Sequence, residues 1–159
     1  MPGRDRAESK SVEASDERPV SRARVALLVS IIAHALGWAL PVMDDYRGVN
    51  AFRVALSPVW PYEQFHIPAG RLVYLSVASG LTNIVFAVVA IAALAGALQT
   101  RSRQLVAVWV VGAATLLNLH WPISMGDSAP DLRVGYYAWI ASFVLLLLAV
   151  HPALARRSR

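Results

Sequence analysis

The chain has no cysteine, which excludes disulfides, thiolate metal sites and cysteine nucleophiles together. Charge is scarce as well. Only 16% of the 159 residues are Asp, Glu, Lys or Arg, against 57% that are hydrophobic, a mix far from that of an ordinary soluble domain. Recognisable catalytic machinery is missing: there is no P-loop, no HExxH zinc motif, no Gly-x-Ser-x-Gly elbow and no carboxylate within the apolar blocks. Asp44 and Asp45, with Asp127 and Asp131 further on, read as solvated carboxylates flanking helices rather than as a cation site. We therefore expect no catalytic residue, no metal and no resident cofactor, and a chain that is not an enzyme.

What the chain does have is apolar blocks. They run from about Val25 to Met43, Leu72 to Leu98, Leu105 to His120 and Val134 to Val150, and none contains a charged residue. Their apolar residues are continuous rather than spaced for one helix face, so each would be greasy all round, which water does not tolerate and a bilayer requires. A span needs roughly 20 residues to cross about 30 Å of hydrocarbon. The second block is generous and the third and fourth slightly short, the latter extended by interfacial Trp and Tyr. The first block has a basic flank like that of a signal peptide. It is long for a signal core and no small-x-small site follows it, so it reads as an uncleaved span. The expected fold is all-α: a polytopic membrane protein, a four-transmembrane-helix bundle with ordered outer loops, in residues 22–159. Residues 1–21 mix both charges with Ser, Pro and Gly and read as a disordered cytoplasmic tail.

The formal charge of +5 sits beside the apolar blocks, as orienting charges do, and not in a nucleic-acid-binding stripe. Arg22, Arg24, Arg101, Arg103, Arg156, Arg157 and Arg159 gather on one side, with the basic residues of the tail. The other side has Arg47, Arg53, Arg71 and Arg133 among five acidic residues. Short basic loops stay in the cytoplasm, so we expect both termini inside a cell (inner) membrane.

The aromatics are lopsided. Trp38, Trp60, Trp121 and Trp139 and all five tyrosines fall at outer ends or in outer loops, and only Trp109 lies toward the inner side. An ordinary aromatic belt marks both interfaces. In the first outer loop, Asn50 is placed to cap a short interfacial helix from Ala51 to Ser57, stopped by Pro58. The segment VWPYEQFHIP follows, and the second loop, HWPISMGDSAPDLRVGYY, has the same character. The two loops are expected to form an ordered cap.

Within the spans, His34 and Asn83 lie near mid-bilayer, nine and eleven residues into their blocks. Asn118 and His120 fall near the outer end of the third block. His34 is the only ionisable group at depth. It reads either as a hydrogen-bond donor to Asn83 or to a backbone carbonyl in a neighbouring helix, or as a group that binds a haem, contacts a quinone or relays a proton. Small residues recur on three blocks: Ala26, Ser30, Ala33 and Gly37; Ser76, Gly80, Asn83, Ala87 and Ala90; Ala138, Ser142 and Ala149. Such stripes let helix backbones approach closely in lipid.

The motifs GVNAF after the first block, LTN in the second and GYYAW with a following Ser-Phe in the fourth resemble small four-helix inner-membrane proteins of bacteria. The resemblance covers about Val25 to Val150 and implies a bacterial cytoplasmic membrane without implying an activity. Three functional readings remain open. The first is a non-enzymatic accessory, assembly or scaffold subunit. Its aromatic extracytoplasmic loops would meet a membrane-protein partner or a second copy through Trp60, Tyr62, Phe65, Trp121, Tyr136 and Tyr137, residues of a type enriched at interface hot spots. The second is a membrane-embedded binder of a lipid-soluble ligand or redox cofactor, with His34 and Asn83 lining the site under the aromatic cap. The third is an oligomeric channel or transporter component. Spans free of charge weigh against ion-coupled transport more than against a passive pore.

Overall fold

The computed structural model describes residues 22–44, 46–61, 71–125 and 131–152. The protein is mostly helical. Its elements are α1 (Arg22–Ala39), β1 (Pro41–Met43), β2 (Tyr46–Arg47), α2 (Gly48–Ala55), α3 (Arg71–Leu94), α4 (Arg101–Asn118), α5 (His120–Met125) and α6 (Val134–Val150). Three helical stretches are long and apolar enough to cross a membrane: Arg22–Ala39, Val73–Leu94 and Arg101–Ile123, the last running from α4 into α5. Helix α6 is apolar but shorter, at 17 residues. The expected tail at 1–21, and with it Asp45, Tyr62, Phe65, His66 and Asp127, lies outside the described residues.

Local chemistry explains where the helices stop, and it moves three of the expected boundaries. The second apolar block continues to Leu98, but α3 ends at Leu94. Gly96 takes a positive φ of 70°. Its N–H bonds the Ala93 carbonyl at 3.2 Å and the Ala97 N–H bonds Ala92 at 2.8 Å, the paired bonds of a Schellman stop. The next helix starts at once, because the Thr100 side chain caps α4 by accepting from the Arg103 N–H. The first block continues to Met43, yet α1 ends at Ala39, and Pro41 opens a strand instead. The short loop helix runs over Gly48–Ala55 rather than Ala51–Ser57. Arg47 occupies the position before it, without a side-chain cap, so Asn50 lies inside the helix.

β1 pairs with β2 antiparallel, and the turn between them is entered through Asp44 at φ 46°, a left-handed conformation that Asp tolerates better than most residues. On its other side β1 is stitched to the segment before α6. Arg133 N–H donates to the Val42 carbonyl at 2.9 Å, Asp44 N–H to Asp131 at 3.3 Å, and Met43 bridges Leu132. The described parts of the two aromatic loops are thus one hydrogen-bonded unit. With α2 and α5 they close one end of the helix bundle, the capped end.

Helix α6 is the hub. It packs most extensively on α1 and next on α4; α4 packs on α3, while α3 and α1 touch at few residues. The α1–α6 crossing depends on Gly37, where an added Cβ would lie 2.9–3.1 Å from Trp139 Cβ, Cα and N. Away from the cap the core is apolar, built on Phe86, Val111, Phe143 and Leu146 with small residues between them. Of the small-residue stripes, Ser30, Gly37, Ser76, Gly80, Ala90, Ser142 and Ala149 are buried at helix contacts, whereas Ala87 is exposed.

Candidate functional site

Nearer the cap the packing changes from apolar to hydrogen-bonded. Asn118, completely buried near the end of α4, is the centre of one network. Ser79 Oγ donates to its Oδ1 at 2.8 Å, and its Nδ2 donates to Thr82 Oγ1 at 3.1 Å. Its backbone carbonyl accepts from the Tyr136 hydroxyl at 3.1 Å, and Trp121 Nε1 donates to Ser79 Oγ at 2.9 Å. Four helices are tied by groups that would otherwise be unpaired polar atoms in an apolar interior, the arrangement that buried polar atoms require.

A second network crosses from α1 to α6. An indole N–H can only donate, so the 3.2 Å bond between Trp38 Nε1 and His34 Nε2 makes that nitrogen the acceptor. The proton is then on His34 Nδ1, which donates to Ser142 Oγ at 3.0 Å. Ser142 in turn donates to the Trp139 carbonyl at 2.6 Å. The His34 ring stacks on Phe86 at 3.7 Å and 5° and meets the Phe143 ring edge-on. His34 therefore bonds Ser142, not Asn83 or a backbone carbonyl, and both ring nitrogens are committed inside the bundle. Asn83 is used separately. Its Oδ1 accepts from Trp139 Nε1 at 3.0 Å and its Nδ2 donates to the Gly80 carbonyl at 2.9 Å.

Above these networks lies a partly open cavity of about 120 Å³. Trp38, Phe52, Trp121, Tyr136 and Trp139 form its aromatic walls, α2 covers it with Ala51, Val54 and Ala55, and Gly37, Ser79, Gly80 and Asn83 come from the helices. The feature is mostly apolar with a few convergent polar groups, the usual character of a small-molecule site.

The sequence candidates divide on this geometry. Asn83, Trp121 and Tyr136 line the cavity, while His34 lies a turn away behind Trp38. Trp60 and Tyr137 face outward, 53% and 59% exposed, and the Arg53 guanidinium sits 4.0 Å from the centre of the Trp60 ring. Tyr62 and Phe65 are outside the described residues. Sequence reasoning passed over Ser79, Thr82 and Phe52. The signal for the first two was present, since Ser76, Ser79, Thr82 and Asn83 recur at i, i+3, i+6 and i+7 and so mark one face. Among the described residues no group of His, Asp and Glu is placed to hold a metal ion.

The class these features define is a mostly helical protein carrying membrane-length helices and an aromatic pocket at one end. No protein-family model, characterised protein or solved structure matches the chain.

Proposed function

We propose that the chain crosses the bilayer four times, with both termini in the cytoplasm, and that its outer, capped end binds a lipid-soluble small molecule. Support for the fourth span comes from α6 itself. Gly37 lies against Trp139 and His34 bonds Ser142, so α6 runs antiparallel to α1 and level with it. A bilayer that contains α1 then contains α6, whose 17 residues reach about 26 Å at 1.5 Å per residue. The starts of α1 and α4, with Arg22, Arg24, Arg101 and Arg103, lie at the end away from the cap, and this basic end supports a cytoplasmic assignment for it.

The observation that carries the ligand reading is the aromatic cavity under α2. Four of the five tryptophans belong to the capped end, and three of them are cavity walls with their indole N–H groups already committed, so they present rings rather than donors. The test is to purify the protein in mild detergent, record an intact mass under non-denaturing conditions and extract the sample with organic solvent. A recurrent small hydrophobic molecule, lost when Ala51→Phe fills the cavity, is the expected result. Preparations free of any such molecule, and unresponsive to added hydrophobic ligands, would remove the reading.

A second reading is favoured by one observation: Trp60 and Tyr137 stay outside while their aromatic neighbours turn in. They would bind a membrane-protein partner or a second copy as an accessory subunit. Co-purification lost in the Trp60→Ala/Tyr137→Ala double variant is expected on that reading, and unchanged association would remove it.

A further inference from the structure

We infer that the cavity takes hydrocarbon, a segment of the chain of a membrane lipid, and not a polar head group. This rests on the ligand-binding reading above and names the chemistry of its ligand. Among the described residues the wall carries no charged side chain to meet an anionic head. Five of its single-hydrogen donors are also already used. The indoles of Trp38, Trp121 and Trp139 donate to His34, Ser79 and Asn83, and the hydroxyls of Ser79 and Tyr136 both donate to Asn118. Asn83 commits its carbonyl oxygen and one of its two amide hydrogens, leaving at most one N–H to offer. A phosphate, sugar or quinone head entering here would lose its water and regain almost no hydrogen bonds, an exchange that disfavours it. A methylene chain loses nothing by the same move.

Size and position agree. A cavity of about 120 Å³ is a little smaller than the roughly 150 Å³ apolar cavity known to admit benzene, so it accommodates a ring or a few carbons rather than a whole lipid. It also lies at the thinnest seam of the bundle. α1–α6, α6–α4 and α4–α3 are the packed pairs, whereas α1 and α3 meet at few residues. Across that gap Gly37 and Trp38 of α1 share the cavity with Ser79, Gly80 and Asn83 of α3. About a turn further from the cap the His34–Phe86 stack closes the seam. On this inference a lipid chain would enter sideways from the bilayer along the sparsely packed side between α1 and α3.

The experiment uses the full chain in nanodiscs of phosphatidylethanolamine and phosphatidylglycerol. It compares two photoreactive phosphatidylethanolamines, one with a diazirine in the acyl chain and one with it on the head. Mass spectrometry locates the adducts. Expected is acyl-chain labelling of Phe52 and Trp139, reduced to background by Ala51→Phe and increased by Phe52→Ala, which enlarges the cavity, with the adducts then read at Trp139. The second variant decides the matter if the first fails to fold, since unchanged wall labelling in Phe52→Ala overturns the inference. Labelling of the wall by the head probe alone overturns it too while leaving a ligand site standing. Labelling of neither kind at the wall, with Ile32 and Ile84 labelled on the helix surface, overturns both this inference and the ligand-binding reading.

Discussion

Trp38 and His34, one helical turn apart on α1, are joined by a hydrogen bond in which the indole donates to imidazole Nε2 at 3.2 Å. That single contact decides the chemistry of a part-buried histidine inside the bundle. The lone pair a haem iron would use is occupied, and the other nitrogen is spent on Ser142 at 3.0 Å. Of the two readings the sequence leaves open for His34, the geometry fits the hydrogen-bonding one, a cross-brace between α1 and α6.

The brace makes a stability prediction. His34→Phe keeps the stack on Phe86 but leaves the Trp38 N–H without its acceptor and removes the bond to Ser142. We expect a loss of about 1–2 kcal/mol, since interhelical bonds in membrane proteins average roughly 0.6 and an orphaned buried donor costs about 1–3. His34→Ala adds a void beside Phe86 and Phe143, for a total of about 2–4 kcal/mol. Unfolding in mixed micelles measures both. Wild-type stability in His34→Ala would mean the brace does not form.

Asn118 offers a sharper test, because it is completely buried and serves Ser79, Thr82 and Tyr136. Only its side chain is lost in Asn118→Leu, so Tyr136, which bonds the backbone carbonyl, keeps its acceptor. Ser79 loses its acceptor and Thr82 the donor that Asn118 Nδ2 supplies, and we expect destabilisation of about 2–4 kcal/mol. Combined with Ser79→Ala the penalty falls short of additive by roughly 0.5–2 kcal/mol, since the two residues share one bond. Strict additivity in the double-mutant cycle would show that they do not interact.

How far these features are legible in the sequence depends on what carries them. Apolar runs of membrane length are a one-dimensional signal, so the helical regions stand out from composition alone. Helix ends are set by single residues that break the run without being polar. Gly96 sits inside apolar sequence, and its left-handed φ truncates α3 four residues before the block ends. The loop helix starts at Gly48 because the β1–β2 pair delivers the chain there, which Asn50 as a would-be cap gives no hint of. The partners of His34 and Asn83 were out of reach for another reason. Both face more than one helix, and the choice of Ser142 and Trp139 is made by the close α1–α6 crossing, a tertiary fact. Likewise the outer aromatics share one sequence signature, yet Trp121 and Tyr136 turn inward to buried acceptors while Trp60 and Tyr137 do not.

That crossing can be tested directly. At Gly37 a Cβ would approach the backbone of Trp139 to 3.0 Å, closer than packed atoms accept. Gly37→Ala should cost about 1–3 kcal/mol through overpacking. Gly37→Val should cost more, forcing α1 from α6 and loosening the His34–Ser142 bond with it. Thermal denaturation in detergent ranks the three proteins. Equal midpoints would mean that the two helices are not in contact at this residue.

The absence of cysteine makes the number of crossings accessible by single-cysteine labelling, with no native thiol to remove. Ser102→Cys lies at the start of α4, Arg133→Cys just before α6, and Ser158→Cys near the last residue of the chain. With four spans, a membrane-impermeant maleimide added to intact cells labels position 133 alone. Positions 102 and 158 react only after the membrane is opened, because two crossings separate one from the other. If α6 instead lay along the surface, position 158 would react from outside together with 133. The Ser158→Cys result thus isolates α6, which at 17 residues is shorter than the three helical stretches of membrane length. The packing of α6 supports the inside result: Ser142 and Trp139 lie level with His34 and Gly37, so a membrane that held α1 would hold α6 beside it.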